Sequence, residues 1–126
     1  MTKTAALFNF FAGFGIPAYE ENSVYSLEQP PEFPYLTYEV RTDSFSDYDT
    51  QISFSLWYRS TSWADVNAKS AEIAADIGRG GKILPCEGGY ILLHRGHPFA
   101  QAMGDGTDDM IKRIVHSLSV RYYTND

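Results

Sequence analysis

Cysteine is nearly missing from this chain: Cys86 is the only one in 126 residues. An intrachain disulfide is therefore impossible, and folding cannot depend on an oxidising compartment. Long hydrophobic runs are missing too, since no stretch approaches the roughly 18 apolar residues that span a bilayer. The short apolar run after Lys3 is interrupted by Asn9 and lacks a small-residue cleavage site, so it does not read as a secretory signal. These absences predict a soluble protein made in a cytoplasm, with no membrane partner. Basic charge is also short. Ten Lys and Arg stand against sixteen Asp and Glu, for a formal net charge of −6. A tight nucleic-acid binder needs the opposite sign, because neutralising phosphates supplies most of its non-specific affinity.

The usual catalytic and ligand-binding signatures are missing as well. Gly78-Arg79-Gly80-Gly81-Lys82 has the glycines of a phosphate loop but not its setting. A P-loop follows a strand, precedes a helix and carries Ser or Thr after its Lys, whereas here a helical pattern comes first and Ile83 follows. Cys86, His94, His97 and His116 have no standard zinc spacing. Asp105-Gly106-Thr107-Asp108-Asp109 lacks the alternating oxygen ligands and distal Glu of a calcium loop, and reads as a turn. No Gly-x-Ser-x-Gly elbow occurs, and nothing around Cys86 signals an activated thiol. The chain is expected not to be an enzyme and to carry no cofactor or metal.

What is present is aromatic and acidic. Nine Tyr, eight Phe and two Trp suit half-buried sheets and protein interfaces, because Tyr and Trp pair a large apolar body with a polar tip. The whole acidic excess sits in the first 49 residues. Eight acids there (Glu20, Glu21, Glu28, Glu32, Glu39, Asp43, Asp47, Asp49) face only Lys3 and Arg41, while the rest of the chain is balanced. The length fits one domain covering residues 1–126.

Periodicity places the elements. Leu7, Phe8, Phe11 and Phe14 make one stripe of a helix from Thr2 to Phe14, with Thr2 or Thr4 as cap. Ile16 to Pro34 reads as a long irregular segment with four prolines and four acids. Tyr35 to Arg41 and Thr50 to Thr61 alternate as strands and form a hairpin with an acidic tip. Ser62 with Asp65 resembles a capping box opening a helix to Ile77, closed by Gly78. Lys82 to Cys86 and Tyr90 to Arg95 form a hairpin or one bulged strand, turning at Gly88-Gly89. Gly96 to Asp109 reads as a second loop, and Met110 to Tyr123 as a last strand long enough for part of it to project. The expected fold is α+β, a mainly antiparallel four-stranded sheet with two helices packed on one face. Its other face is expected to carry Trp57, Ile91, Leu93, Ile111 and Val115, a half-apolar surface that invites another chain.

Several fragments together resemble the tail-completion proteins of long-tailed bacteriophages, the tail terminator or tail-to-head joining family. They are Ile16-Pro17-Ala18-Tyr19, Phe33-Pro34-Tyr35-Leu36-Thr37-Tyr38-Glu39-Val40, Leu56-Trp57-Tyr58-Arg59-Ser60-Thr61-Ser62, Ile77-Gly78-Arg79-Gly80-Gly81 and Gly96 through Pro98-Phe99-Ala100-Gln101. With the order of elements between them, the resemblance spans most of the chain. The extended segment from Tyr25 to Glu32 departs from the pattern. The resemblance implies a structural virion protein that forms a ring, typically a homohexamer, at the head-proximal end of the tail. Such a ring stops tube growth and joins tail to head, with the tail tube protein and a head-connector protein as partners. DNA would pass through its lumen without specific binding, and an acidic excess suits such a channel. The protein would be assembled in the host bacterial cytoplasm and reside in the virion. The alternatives are another neck component, such as a head-closure or connector subunit, and a small prophage-encoded hydrolase. Tyr19, Tyr25, Phe45 and Tyr48 are the candidate interface residues. Asp43, Asp47 and Asp49 are candidates for an acidic lumen or docking loop.

Overall fold

A helix seated inside a curled sheet organises the protein. The computed structural model describes residues 1–45 and 47–125; Ser46, within the expected acidic tip, and Asp126 lie outside the described residues. Helix α1 (Lys3–Ala12) starts where the Thr2 side chain accepts the Ala5 N–H at 3.1 Å. It buries Ala6, Leu7, Phe10 and Phe11, with Phe14 just beyond. Phe8, expected in this stripe, is 44% exposed, and Phe10 takes its place. The reason is tertiary. α1 packs against both β1 (Ala18–Glu20) and β4 (Lys82–Cys86), the two edges of the sheet, so its buried arc is turned towards both.

The sheet corrects the expected fold class. It has six strands in the order β1-β2-β3-β6-β5-β4, it is mixed, and it curls into a half-barrel with three helices. The strands not yet placed are β2 (Tyr35–Tyr38), β3 (Thr50–Arg59), β5 (Gly89–Gly104) and β6 (Ile111–Thr124). Two misreadings of the sequence account for the difference. The segment read as irregular holds β1, paired in parallel with β2, and the short helix α2 (Glu21–Val24), capped by the Glu20 carboxylate on the Ser23 N–H. The segment read as a second loop is mostly strand, because β5 continues to Gly104. Gly96, Pro98 and Gly104 punctuate that stretch in the sequence, but they build a bulge rather than a loop. Between the pairs Arg95↔Leu118 and Ala100↔His116, four residues on β5 face Ser117 alone. Gly96 is required there, since a Cβ would lie 2.7 Å from the Ser117 Cβ.

β6 uses its length inside the sheet, bonded to β3 on one side and β5 on the other, so the expected projection does not occur. The β4–β5 turn falls one residue earlier than expected: Cys86 pairs with Gly89, leaving Glu87-Gly88 at the tip. Helix α3 (Ala64–Ile77) buries Val66, Ile73 and Ile77 as the pattern predicts. The expected capping box is not formed. Trp63 sits at the cap without a side-chain bond, and the Ser62 hydroxyl accepts the Ala64 N–H instead. Gly78 ends the helix at φ 72°, donating its N–H to the Ala74 carbonyl.

α1 and α3 share the same side of the sheet, over Leu36, Ile52, Phe54, Leu56, Ile114, Leu118 and Val120. Ile91 and Leu93, expected on the opposite side, are fully buried here as well. Their partners Tyr122 and Val120 on β6 point into the core, and cross-strand partners share a face.

Candidate functional site

The other face of the sheet holds the most distinctive chemistry. Alternation sends every odd-numbered residue of β6 and β3 outwards, and α1 and α3 cover only the inner side. Near the β5–β6 tip the outer face carries a cross-strand row. Met103 on β5 is opposite Arg113 on β6, Arg113 is opposite Trp57 on β3, and Trp57 is opposite Tyr35 on β2. The Arg113 guanidinium lies 4.4 Å from the Trp57 ring centroid, and its Nε donates to the Ser55 Oγ at 3.2 Å. Trp57 stacks on Tyr35 at 5.9 Å and 10°, while its Nε1 donates to the Thr37 Oγ1 at 2.9 Å. Tyr19 and Phe33 extend the row at 6.2 and 5.3 Å from the Tyr35 ring. Burial raises the Tyr35 phenol above its ordinary value, opposed by the charge of Arg113. A depression of about 280 Å³ opens beside the row, lined by Trp57, Met103, Asp105, Ile111 and Arg113. Every ring in the row is half-buried and fixed by its neighbours, so the surface is rigid and can receive a flat or apolar group without reordering.

A strip of small hydroxyls, Ser53, Ser55, Ser117 and Ser119, separates this row from a second cluster at the far end of β6. There Tyr90 stacks on Tyr123 at 4.9 Å, and Phe45 meets Tyr123 edge-on at 5.7 Å. Arg121 donates its Nε to Asp49 at 2.8 Å. The Ser119 hydroxyl first, then Arg121, holds the Asp49 carboxyl below its ordinary range. Arg113 and Arg121 are eight residues apart on β6, so the clusters are roughly 25 Å apart at about 3.3 Å per residue.

The candidate contact residues do not form one site. Tyr19 belongs to the first row, and Phe45 to the second cluster. Tyr25 closes α2 and is 82% exposed, and Tyr48 is 81% exposed in the loop before β3. Of the acidic residues, Asp43 accepts Lys3 Nζ on its carbonyl at 2.8 Å, Asp47 is exposed, and Asp49 is bound to Arg121. Arg113 and Met103 were not singled out from the sequence. Alternation alone places Trp57 and Val115 outwards, so Arg113, two positions before Val115, is on the same face by the same count.

The edge of β5 is the second notable feature. β4 pairs with β5 only as far as Leu93. From Ala100 to Gly104 the strand is bonded to β6 alone, and all five residues are exposed and uncharged. Natural sheets guard such edges with charge, proline or cover. Here Pro98 and Asp105 bracket the open stretch without entering it.

The motifs weighed as ligand sites in the sequence take the following places in the fold. Lys82, at the end of the glycine-rich run, donates to Asp76 at 2.7 Å. Asp105 accepts the Thr107 and Asp108 N–H groups and closes the β5–β6 turn. His94 is half-buried on the outer face, His97 is exposed in the bulge, and His116 lies in the core with its Nε2 2.8 Å from the Ser70 Oγ. Cys86 is a half-buried thiol on β4. Among the described residues, no group of three or more His, Cys, Asp or Glu could hold a metal ion. No described helix is long and apolar enough to cross a membrane. No protein-family model and no curated protein matches this chain.

Proposed function

We propose that this chain is a structural virion protein, a subunit of a homo-oligomeric ring at the head-proximal end of a phage tail that ends tube growth and joins tail to head. One observation carries the assembly part of this reading. The open, uncharged edge of β5 lies beside an uncovered outer face with a fixed aromatic row, and both are surfaces that a partner chain would complete. The phage-tail part rests on the resemblance of the five fragments. Four of them have residues at this surface: Tyr19, Tyr35 and Trp57 in the row, and Phe99-Ala100-Gln101 at the start of the open edge. In this reading the partners are further copies of the chain, the tail tube protein and a head-connector protein. DNA passes through the lumen, and the working location is the virion after assembly in the host cytoplasm.

The test is incubation of the purified protein with tail tubes and, separately, with heads, followed by electron microscopy and particle mass. Rings capping one end of the tubes are expected. Binding to heads alone would move the protein to a head-closure or connector role, and a protein that joins neither would overturn the reading.

A further inference from the structure

We infer that the contact between neighbouring copies is head-to-tail, the acidic arm of one copy covering the basic bulge of β5 on the next. It rests on the assembly reading above and specifies which surfaces meet. Two charged surfaces of opposite sign lie on opposite edges of one sheet, and each has ionic groups that form no ion pair among the described residues.

The basic surface surrounds the β5 bulge. Arg79, His94, Arg95, His97 and Phe99 line a hollow of about 350 Å³ there. Arg79 and Arg95 are exposed, and neither takes part in an ion pair among the described residues. The nearby acids are already engaged: Asp76 with Lys82, and Asp49 with Arg121. The open edge from Ala100 to Gly104 continues directly from this hollow.

The acidic surface is the arm after β1. A groove of about 510 Å³ runs along it, lined by Pro17, Tyr19, Leu27, Glu28, Pro30 and Glu32. Glu21, Glu28 and Glu32 are exposed and form no ion pair among the described residues. The groove combines apolar residues with Glu28 and Glu32, which suits a neighbour that presents exposed Pro98 in the bulge next to Arg95. The two surfaces are different, so a copy that uses one keeps the other free for the next copy. Such heterologous contacts build rings when the rotation closes. A symmetric pairing of two basic bulges would instead set like charges together.

Charge reversal tests this directly. All four residues to be changed are exposed, and circular dichroism checks that each variant is folded. Assembly is measured by sedimentation up to millimolar concentration and by capping of tail tubes. Arg79→Glu with Arg95→Glu, or Glu28→Lys with Glu32→Lys, should each weaken assembly by about tenfold or more in dissociation constant. Mixing the two double variants, or combining all four changes in one chain, should restore it to within about threefold of the wild type. Assembly unaffected by either reversal, or not restored by the swap, overturns the proposal, as does a wild type that assembles in neither setting. Binding of a random-sequence DNA duplex is measured in parallel. If the arginine reversals abolish DNA binding and leave assembly intact, the basic hollow serves a polyanion and the proposal fails. The outcomes also separate the two readings. Charge-swapped rings that never join tubes would overturn the tail assignment alone. Tubes capped equally well by the one-sided variants would overturn this contact alone.

Discussion

Lowering the pH from about 7.5 to about 5 should destabilise the fold by about 2 kcal/mol through one residue, His116. Its ring is fully buried, stacked on Phe54 at 4.2 Å and 1°, and met edge-on by Phe99 at 5.0 Å. Nε2 has Ser70, but Nδ1 has no hydrogen-bond partner. Burial lowers its pKa to about 4, and the nearby carbonyls of Phe54 and Ile114 only partly oppose this, without a hydrogen bond of ordinary geometry. An unfolded histidine titrates at about 6.5. Between the two values the unfolded chain binds the extra proton, so stability is complete above about 6.5 and falls as the pH drops towards 4. The whole separation is worth about 3 kcal/mol, and about 2 kcal/mol of it is lost by pH 5. That is a large share of the 5–15 kcal/mol typical of a domain, roughly speaking. Asp49 and Asp105 have lowered pKa values, so their contributions are lost only as the pH falls through the ordinary carboxylate range and below it. The assay is urea unfolding at both pH values for the wild type and His116→Phe, which keeps a ring against Phe54 and cannot titrate. His94 and His97 are present in both proteins, so the difference in pH dependence isolates His116. Equal losses in the two proteins would refute the reasoning, whatever their absolute stabilities.

Phe11→Ala should cost about 3–5 kcal/mol, since Phe11 is fully buried, stacked on Tyr38 at 4.6 Å and close to Phe54. A loss under about 1 kcal/mol in denaturant melts would mean that α1 is not seated inside the sheet. Gly89→Ala should cost more than about 2 kcal/mol, because Gly89 has φ 150° and a Cβ there would lie 1.8 Å from the Tyr123 carbonyl oxygen. An unchanged denaturation midpoint would show that the β5–β6 approach is looser than the structure has it.

Local period and punctuation made much of the fold legible. Thr2 and the 3.6-residue spacing of Leu7, Phe11 and Phe14 mark α1, and Val66, Ile73 and Ile77 mark the inner face of α3. Alternation marks β3 and β6 and puts Ile114, His116 and Leu118 on one face, because a strand's two-residue period is written in neighbouring positions. Other features depend on which strand lies beside which, and no local window contains that. β1 is three residues long and exists through its parallel pairing with β2. The strand in β5 beyond Gly96 is held by β6 across a bulge whose Gly and Pro look like loop signals. Phe10 displaces Phe8 from the core because the curled sheet meets α1 from both edges. The candidate surface divides in the same way. Tyr25 and Tyr48 were expected as contact residues, and the structure leaves both exposed. The row from Tyr19 through Trp57 to Arg113, the open edge of β5, and the opposition of an acidic arm to a basic bulge were not legible. They join residues up to about ninety positions apart, and long-range register, not local sequence, decides which side chains share a face.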